Sequence, residues 1–196
     1  MAQKIILASA SQGRQNQLKR AGLVFEVKKP TIDEEALAFS LQGEPLRDIA
    51  EQLAIAKGVE VSRLYPKAVV LAGDQICTLG GEVFDKPITH QNAAQQLEQL
   101  QGKTHHLHTS ACICLGGEVL WQFTTTTAMH MRPLTFDEIE AYVTAEDVRY
   151  CCGSYKIEGR GMRLFSRIDG DHFAIEGLPL LDVINALYEQ GFIGLV

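Results

Sequence analysis

Two runs of apolar residues, Ile5 to Ala8 and Ala68 to Ala72, pass without a turn into polar residues able to do chemistry. An unbroken apolar run of this length is the pattern of a strand covered on both faces. The first strand, read from Lys4 to Ala8, leads into Ser9-Ala10-Ser11-Gln12-Gly13-Arg14. The second leads into Gly73-Asp74-Gln75. Two such strands with helical patterns between them constrain the chain to a sheet flanked by helices, in which ligands gather at the carboxyl ends of the strands.

The intervening segments fit that frame. A helix is predicted from Gln12 to Ala21, stopped by Gly22, followed by a strand from Leu23 to Val27 that Pro30 breaks. The polar stretch from Thr31 to Gly43 reads as loop. Pro45 then opens a helix whose stripe is Leu46, Ile49, Ala50, Leu53, Ala54 and Ala56, with Lys57 near its far end. Gly80-Gly81 reads as a turn, Phe84 to Pro87 as loop, and Thr89 as the cap of a helix running to Leu100. His106 to Cys114 and Val119 to Thr127 alternate and are joined by Leu115-Gly116-Gly117, the pattern of an antiparallel hairpin. Thr135 to Glu138 is a capping box for a helix through Val143. A strand is predicted over Met162 to Ile168 with a turn at Asp169-Gly170, then a final helix marked by Leu181, Ile184, Leu187 and Tyr188 and stopped by Gly191. The order predicts an α/β fold, a mixed twisted sheet flanked by helices. The 196 residues suit one domain or two closely joined lobes.

Composition narrows the function. The formal net charge of −6 is wrong for gripping long nucleic acid by its phosphates. A small phosphorylated ligand needs only a few local cations. Met1 to Ala10 carries no secretory signal pattern, and no stretch approaches the length that spans a bilayer. The five cysteines, Cys77, Cys112, Cys114, Cys151 and Cys152, have no framework spacing, so reduced thiols and a cytoplasmic location are expected.

Several residues stand where a ligand is expected. Ser9, Ser11 and Gly13 lie between a buried strand and a helix start, where free N–H groups and the helix dipole favour a phosphate, and Arg14 can add charge. An ordinary βα loop with serine caps uses the same residues. Asp74 reads as a carboxylate at the mouth of a buried strand, which needs a metal or cation partner, or else serves as a cap. Asp33-Glu34-Glu35 offers further hard oxygen ligands, or simply a solvated surface. Lys57 and Lys86, the latter fixed by Pro87, can neutralise phosphate. No G-x-x-x-x-G-K-[ST] or G-x-G-x-x-G is present. Alternation puts His106 and His108 on one strand face and His105 on the other, without the spacing of a metal centre. Cys112 and Cys114 share a face and read as core thiols; Trp121 and Phe123 share a face and read as core.

Taken in order, these segments resemble the Maf-like nucleotide pyrophosphatase family over essentially the whole chain, residues 1–196 as one domain. LASASQGRQNQL is similar to the family's first-strand and phosphate-loop motif, Ile32-Asp33-Glu34 to its acidic motif, and AGDQICTLGGEVFDKP to its central aspartate motif. GKTHHLHT is similar to its G-x-T-H segment, and GSYKIEGRGMRLFSRIDG with EGLPL to its closing signature. The resemblance implies a Maf/ITPase-like fold, two lobes around a deep nucleotide-binding cleft, commonly as a homodimer. It implies hydrolysis of a nucleoside triphosphate to monophosphate and pyrophosphate with a divalent cation, Mg²⁺ or Mn²⁺. Carried over, Asp74 becomes the catalytic carboxylate, Glu34 a metal ligand beside Asp74, and Ser9, Ser11, Arg14, Lys57 and Lys86 triphosphate contacts. Gln12-Gly13 departs from the family's usual Pro-Arg and removes one cation at Gly13. Gln75 and Glu158 resemble the subgroup acting on 7-methyl-GTP; the alternative is that Glu158 merely pairs with Lys156 or Arg160. A second reading of the same resemblance is a nucleotide-binding regulator of septum formation with little turnover.

Overall fold

The computed structural model of the chain describes residues 3–195. Its sheet has seven strands. The three-residue β1 (Ile5–Leu7) lies parallel between β2 (Glu26–Val27) and the long β3 (Val69–Leu79). The short β4 (Glu82–Val83), β5 (Thr104–Leu115), β6 (Glu118–Met131) and β7 (Phe165–Asp169) add antiparallel pairings. The sheet is therefore mixed, as the order of patterns predicts. Gly116 and Gly117, at φ +61° and +91°, form the two-residue turn of the β5–β6 hairpin, a mirror-image turn open chiefly to glycine.

Helix α3 (Leu46–Leu64) covers one face of the sheet and α7 (Leu180–Glu189) the other. The period of two divides the strands between them. Ile6, Val70, Ala72, Cys112 and Cys114 pack toward Val61 of α3. Leu7, Leu71, Ala111 and Ile113 pack toward Val183 and Leu187 of α7. At about 1.5–3 kcal/mol for each large apolar side chain fully buried, these two clusters hold the parallel part of the fold. A third cluster lies farther along the long strands. There Leu97 and Leu100 of α4 (His90–Leu100) and Ile139 and Val143 of α5 (Phe136–Ala145) meet Leu107, Met129, Tyr155 and Phe165. Strands β3, β5 and β6 run through both regions.

The site is set by what happens along one edge of β3. β1 pairs with Val69–Leu71 and β4 pairs with Thr78–Leu79. Between them, at Gly73, Asp74 and Gln75, no strand of the described residues lies on that edge, which leaves a gap in the pairing.

The structure corrects several expectations. The stretch read as loop contains α2 (Glu34–Ser40), capped by Asp33, whose side chain accepts from the Ala36 N–H. Strand β3 does not end at Asp74 but continues to Leu79, because β5 pairs with it through Gly73, Asp74 and Gln75. Lys57 lies in the interior of α3, not near its end. Residues Arg160–Leu164 form a 3₁₀ helix, so the strand expected from Met162 begins at Phe165. Trp121 is only half-buried and Phe123 is exposed, the two stacked with centroids 6.1 Å apart. The cluster under α7 takes in Ala111 and Ile113 of β5 and reaches β6 only at Trp121, which leaves this pair on the rim.

Candidate active site

The first wall of the gap is the turn from β1 into α1 (Gln12–Arg20). Ser11 is the N-cap, its Oγ accepting from the Arg14 N–H at 3.4 Å, and its own N–H donates to Ser9 Oγ at 3.2 Å. Arg14, Gln17 and Leu18 form the buried face of the short helix. The guanidinium of Arg14 donates through Nε to Gly177 O at 2.9 Å and through Nη1 to Ser9 Oγ at 3.1 Å. It lies in a slot between two glycines. A Cβ on Gly73 would come within 3.4 Å of Arg14 Nε, and one on Gly177, at φ +119°, within 3.3 Å. Burial lowers the Arg14 pKa, while Asp74, Cys152 and Glu34 oppose that shift by favouring its charge.

Gly13 sits against the opposite strap of chain. A Cβ there would lie 2.8 Å from Glu176 O, so a larger residue at this position requires that carbonyl to move. Gly13 therefore brings no charge to the turn and lets the strap carbonyl approach closely.

Asp74 occupies the floor. It is 8% exposed, and its Oδ1 accepts from Lys57 Nζ at 2.6 Å. The same ammonium meets Glu34 Oε2 at 2.6 Å. Lys57, itself buried, thus draws one carboxylate from β3 and one from α2 onto a single point, although these residues lie far apart in sequence. No other described residue bonds the Asp74 carboxylate, which leaves its Oδ2 without a partner among the described residues. The two converging carboxylates are a hard oxygen set of the kind that holds Mg²⁺ or Mn²⁺ together with phosphate and water oxygens. Among the described residues no group of three His, Cys, Asp or Glu side chains has ligand geometry.

Gln75, next along β3, points to the other face. Its Nε2 donates to Thr109 Oγ1 at 2.9 Å and to Ala174 O at 2.8 Å, and its Oε1 accepts from Cys152 Sγ at 3.1 Å. Its carboxamide is consumed in joining the Cys152 loop to the strap at Ala174. Burial pushes the Cys152 thiol up to about 12, Cys151 and Asp74 push the same way, and Arg14 and Lys86 oppose them. Lys86 is exposed. Glu158 is exposed on a turn beside Tyr142 and Cys151, whose pKa values it helps to raise. Neither Lys156 nor Arg160 pairs with it among the described residues; the Arg160 N–H goes to Glu146.

Direct contacts therefore make two groups, Ser9 with Arg14 and Lys57 with Asp74 and Glu34, and the carboxylates of the second favour the charge of Arg14 in the first. Lys86 and Glu158 are exposed and bond none of these residues, while Gln75 on β3 ties to Cys152 of the adjoining loop. Sequence reasoning missed Gln17, Thr109 and Cys152. No apolar stripe in α1 marks Gln17, since Leu18 is the helix's only apolar residue, so the sequence carried no signal for it. His105 is buried between Tyr155 and Phe165, whereas His106 stacks on His108 on the opposite face, as alternation requires.

The Maf-like protein family matches residues 4–190. The chain is 41% identical to nucleoside triphosphate pyrophosphatase 1 of Jannaschia sp., with 97% of this chain and 98% of that protein covered. It is 39% identical to the 7-methyl-GTP pyrophosphatase of Rhizobium meliloti, over 96% of this chain and 97% of that one. Among solved structures it resembles in fold the Ham1 protein of Staphylococcus aureus, at TM-score 0.50 and 17% identity, covering 96% of this chain and 99% of that one. With a family match over nearly the whole sequence and full-length relatives near 40% identity, the chain belongs to the Maf-like protein family.

Proposed function

We propose that this protein is a nucleoside triphosphate pyrophosphatase that hydrolyses its substrate to the monophosphate and pyrophosphate, using the gap around Asp74. The observation that carries the reading is the convergence of Asp74 and Glu34 on Lys57 beside the Ser9–Arg14 turn. It is the arrangement a triphosphate needs, with cations and hydroxyls for its oxygens and a carboxylate free to act on water. Ser9, Ser11, Arg14, Lys57 and Lys86 contact the triphosphate in this reading. Asp74 orients the attacking water and accepts its proton at Oδ2, the oxygen that Lys57 does not engage. When bound at Glu34 and Asp74, a divalent cation supplies charge neutralisation and a more acidic water. Lys57 and Arg14 stabilise the charge that builds on the departing pyrophosphate.

The pyrophosphatase names of the relatives support the activity class, and one of those relatives is named for 7-methyl-GTP. We extend that preference to this chain. A carboxylate at Glu158 accepts from the guanine N1–H and amino group and suits a cationic methylated base. Removal of non-standard nucleotides before they enter nucleic acid, in the cytoplasm, by a single domain that pairs as a homodimer, follows from this reading. No helix of the described residues is long and apolar enough to cross a membrane.

Pyrophosphate release with Mg²⁺ across standard and modified triphosphates, with Asp74→Asn alongside, tests the proposal. The variant keeps an acceptor for Lys57, and Glu34 still pairs with that ammonium, so it folds. The expected loss of turnover is about 100-fold or more. Release centred on UTP or dTTP would keep the class and reject the base preference. No release from any triphosphate would turn the reading to a nucleotide-binding regulator of septum formation.

A further inference from the structure

Residues 171–178 cross the back of the site as a strap that opens with the one-turn helix α6 (His172–Ile175); within it Glu176 N–H donates to Phe173 O and Gly177 N–H to Ala174 O, and its carbonyls are also held by side chains from elsewhere. Gly177 O accepts from Arg14 Nε at 2.9 Å. Ala174 O accepts from Gln75 Nε2 at 2.8 Å and Thr109 Oγ1 at 3.0 Å. Phe173 O and Leu178 O both accept from one group, Gln17 Nε2, at 2.7 and 3.1 Å. Gln17 therefore grips the strap on either side of the carbonyl that holds Arg14.

Gln17 is wholly buried, and its Oε1 has no partner among the described residues. A flipped amide would aim Oε1 at two carbonyl oxygens, so the contacts fix its orientation. A buried polar group with one atom unsatisfied is a liability that leucine or methionine would remove. Both of its N–H bonds go to the strap, which is what the side chain has in return. Gln17 also lies three residues from Arg14 on the same buried face of α1, so the helix and the strap form a closed frame around the guanidinium.

We infer that Gln17 is a positioning residue for Arg14. By fixing Phe173 O and Leu178 O it sets the Gly177 carbonyl, and that carbonyl aims the guanidinium into the gap. The inference rests on the reading of Arg14 as a triphosphate contact. A residue acting through Arg14 affects substrate binding only while Arg14 is present.

Steady-state kinetics of pyrophosphate release on wild type, Gln17→Met, Arg14→Met and the double variant test this. Gln17→Met is expected to raise KM about tenfold with a smaller change in kcat, and to add less than about twofold in the Arg14→Met background. Additive effects, or an unchanged KM in Gln17→Met when Arg14→Met raises it, overturn the inference and leave the Arg14 reading standing. An unchanged KM in Arg14→Met overturns that reading and the inference with it. Gln17→Glu guards against a folding defect. Only a protonated carboxyl can donate to the strap, so the ratio of variant to wild-type KM should fall as pH is lowered. Taking the ratio cancels the titration of Asp74, Glu34 and the Arg20–Glu176 pair, which both proteins share. A ratio that does not change with pH overturns the inference.

Discussion

Lys57 and His105 are both buried, and their surroundings give them opposite electrostatic settings. Lys57 has two carboxylates at 2.6 Å, so its charge is matched where it lies. Among the described residues His105 has only Tyr155 Oη, sharing a hydrogen bond with its Nε2 at 2.9 Å, and its Nδ1 has no partner. Burial pushes the His105 pKa down to about 4, with His106 and His130 adding to the effect. The unfolded chain titrates near 6.5, so between those values it binds the proton that the folded chain refuses. Stability therefore rises with pH through this window. The contribution is complete above the unfolded value and is lost as pH falls toward the folded one, roughly 3 kcal/mol in all. Denaturant midpoints measured from pH 4 to 7 should fall more steeply on acidification for wild type than for His105→Phe; equal slopes would remove His105 as the cause. Sequence could name Lys57 and His105. The charge state each one tolerates depends on residues far away in the chain.

At the scale of elements, local signals located ends well and tertiary pairing decided the rest. Thr135 and Glu138 form the capping box of α5 in full, each bonding the other's backbone N–H. Thr135→Ala should therefore lower stability by about 1 kcal/mol, read as a lower Tm. KM and kcat should be unchanged, because α5 packs in the third cluster and supplies none of the site residues. Altered kinetics would show that this region moves with the site. Helix α2 was missed because none of its residues is buried, so it presents no periodic stripe. Asp33 followed by Glu34-Glu35 was the legible sign, an N-cap with an acidic first turn. Strand β3 was cut short because Gly73 and Asp74 are poor strand formers. Pairing with β5 carries the strand through them and puts Asp74 on the floor of the gap.

For the whole molecule, the decisive feature is that β3, β5 and β6 belong to both regions of the fold while β1 and β4 each reach only one. A ligand held at Asp74 as proposed would contact elements from both sides, and binding to the folded state alone adds stability. With Mg²⁺ and a cleavable triphosphate at a hundredfold its Kd, Asp74→Asn should gain about 2.7 kcal/mol. For a chain of this size that is a rise in Tm of roughly 5–10 °C. Absence of any shift, with an inactive but folded variant, would place the substrate elsewhere.

The sequence by itself determined the class of fold and where along the chain chemistry is concentrated. Apolar runs, caps and paired glycines act locally, and the ordered motifs from LASAS to EGLPL lie in plain reading order. Only the tertiary structure decided what those residues do to one another. That Glu34 and Asp74 share one ammonium, that Gln75 spends its carboxamide on Cys152 and Ala174, and that Arg14 is held by a carbonyl 163 residues away are contacts across long loops. Sequence periodicity carries no record of such contacts, because they are fixed by which faces the hydrophobic clusters bury together.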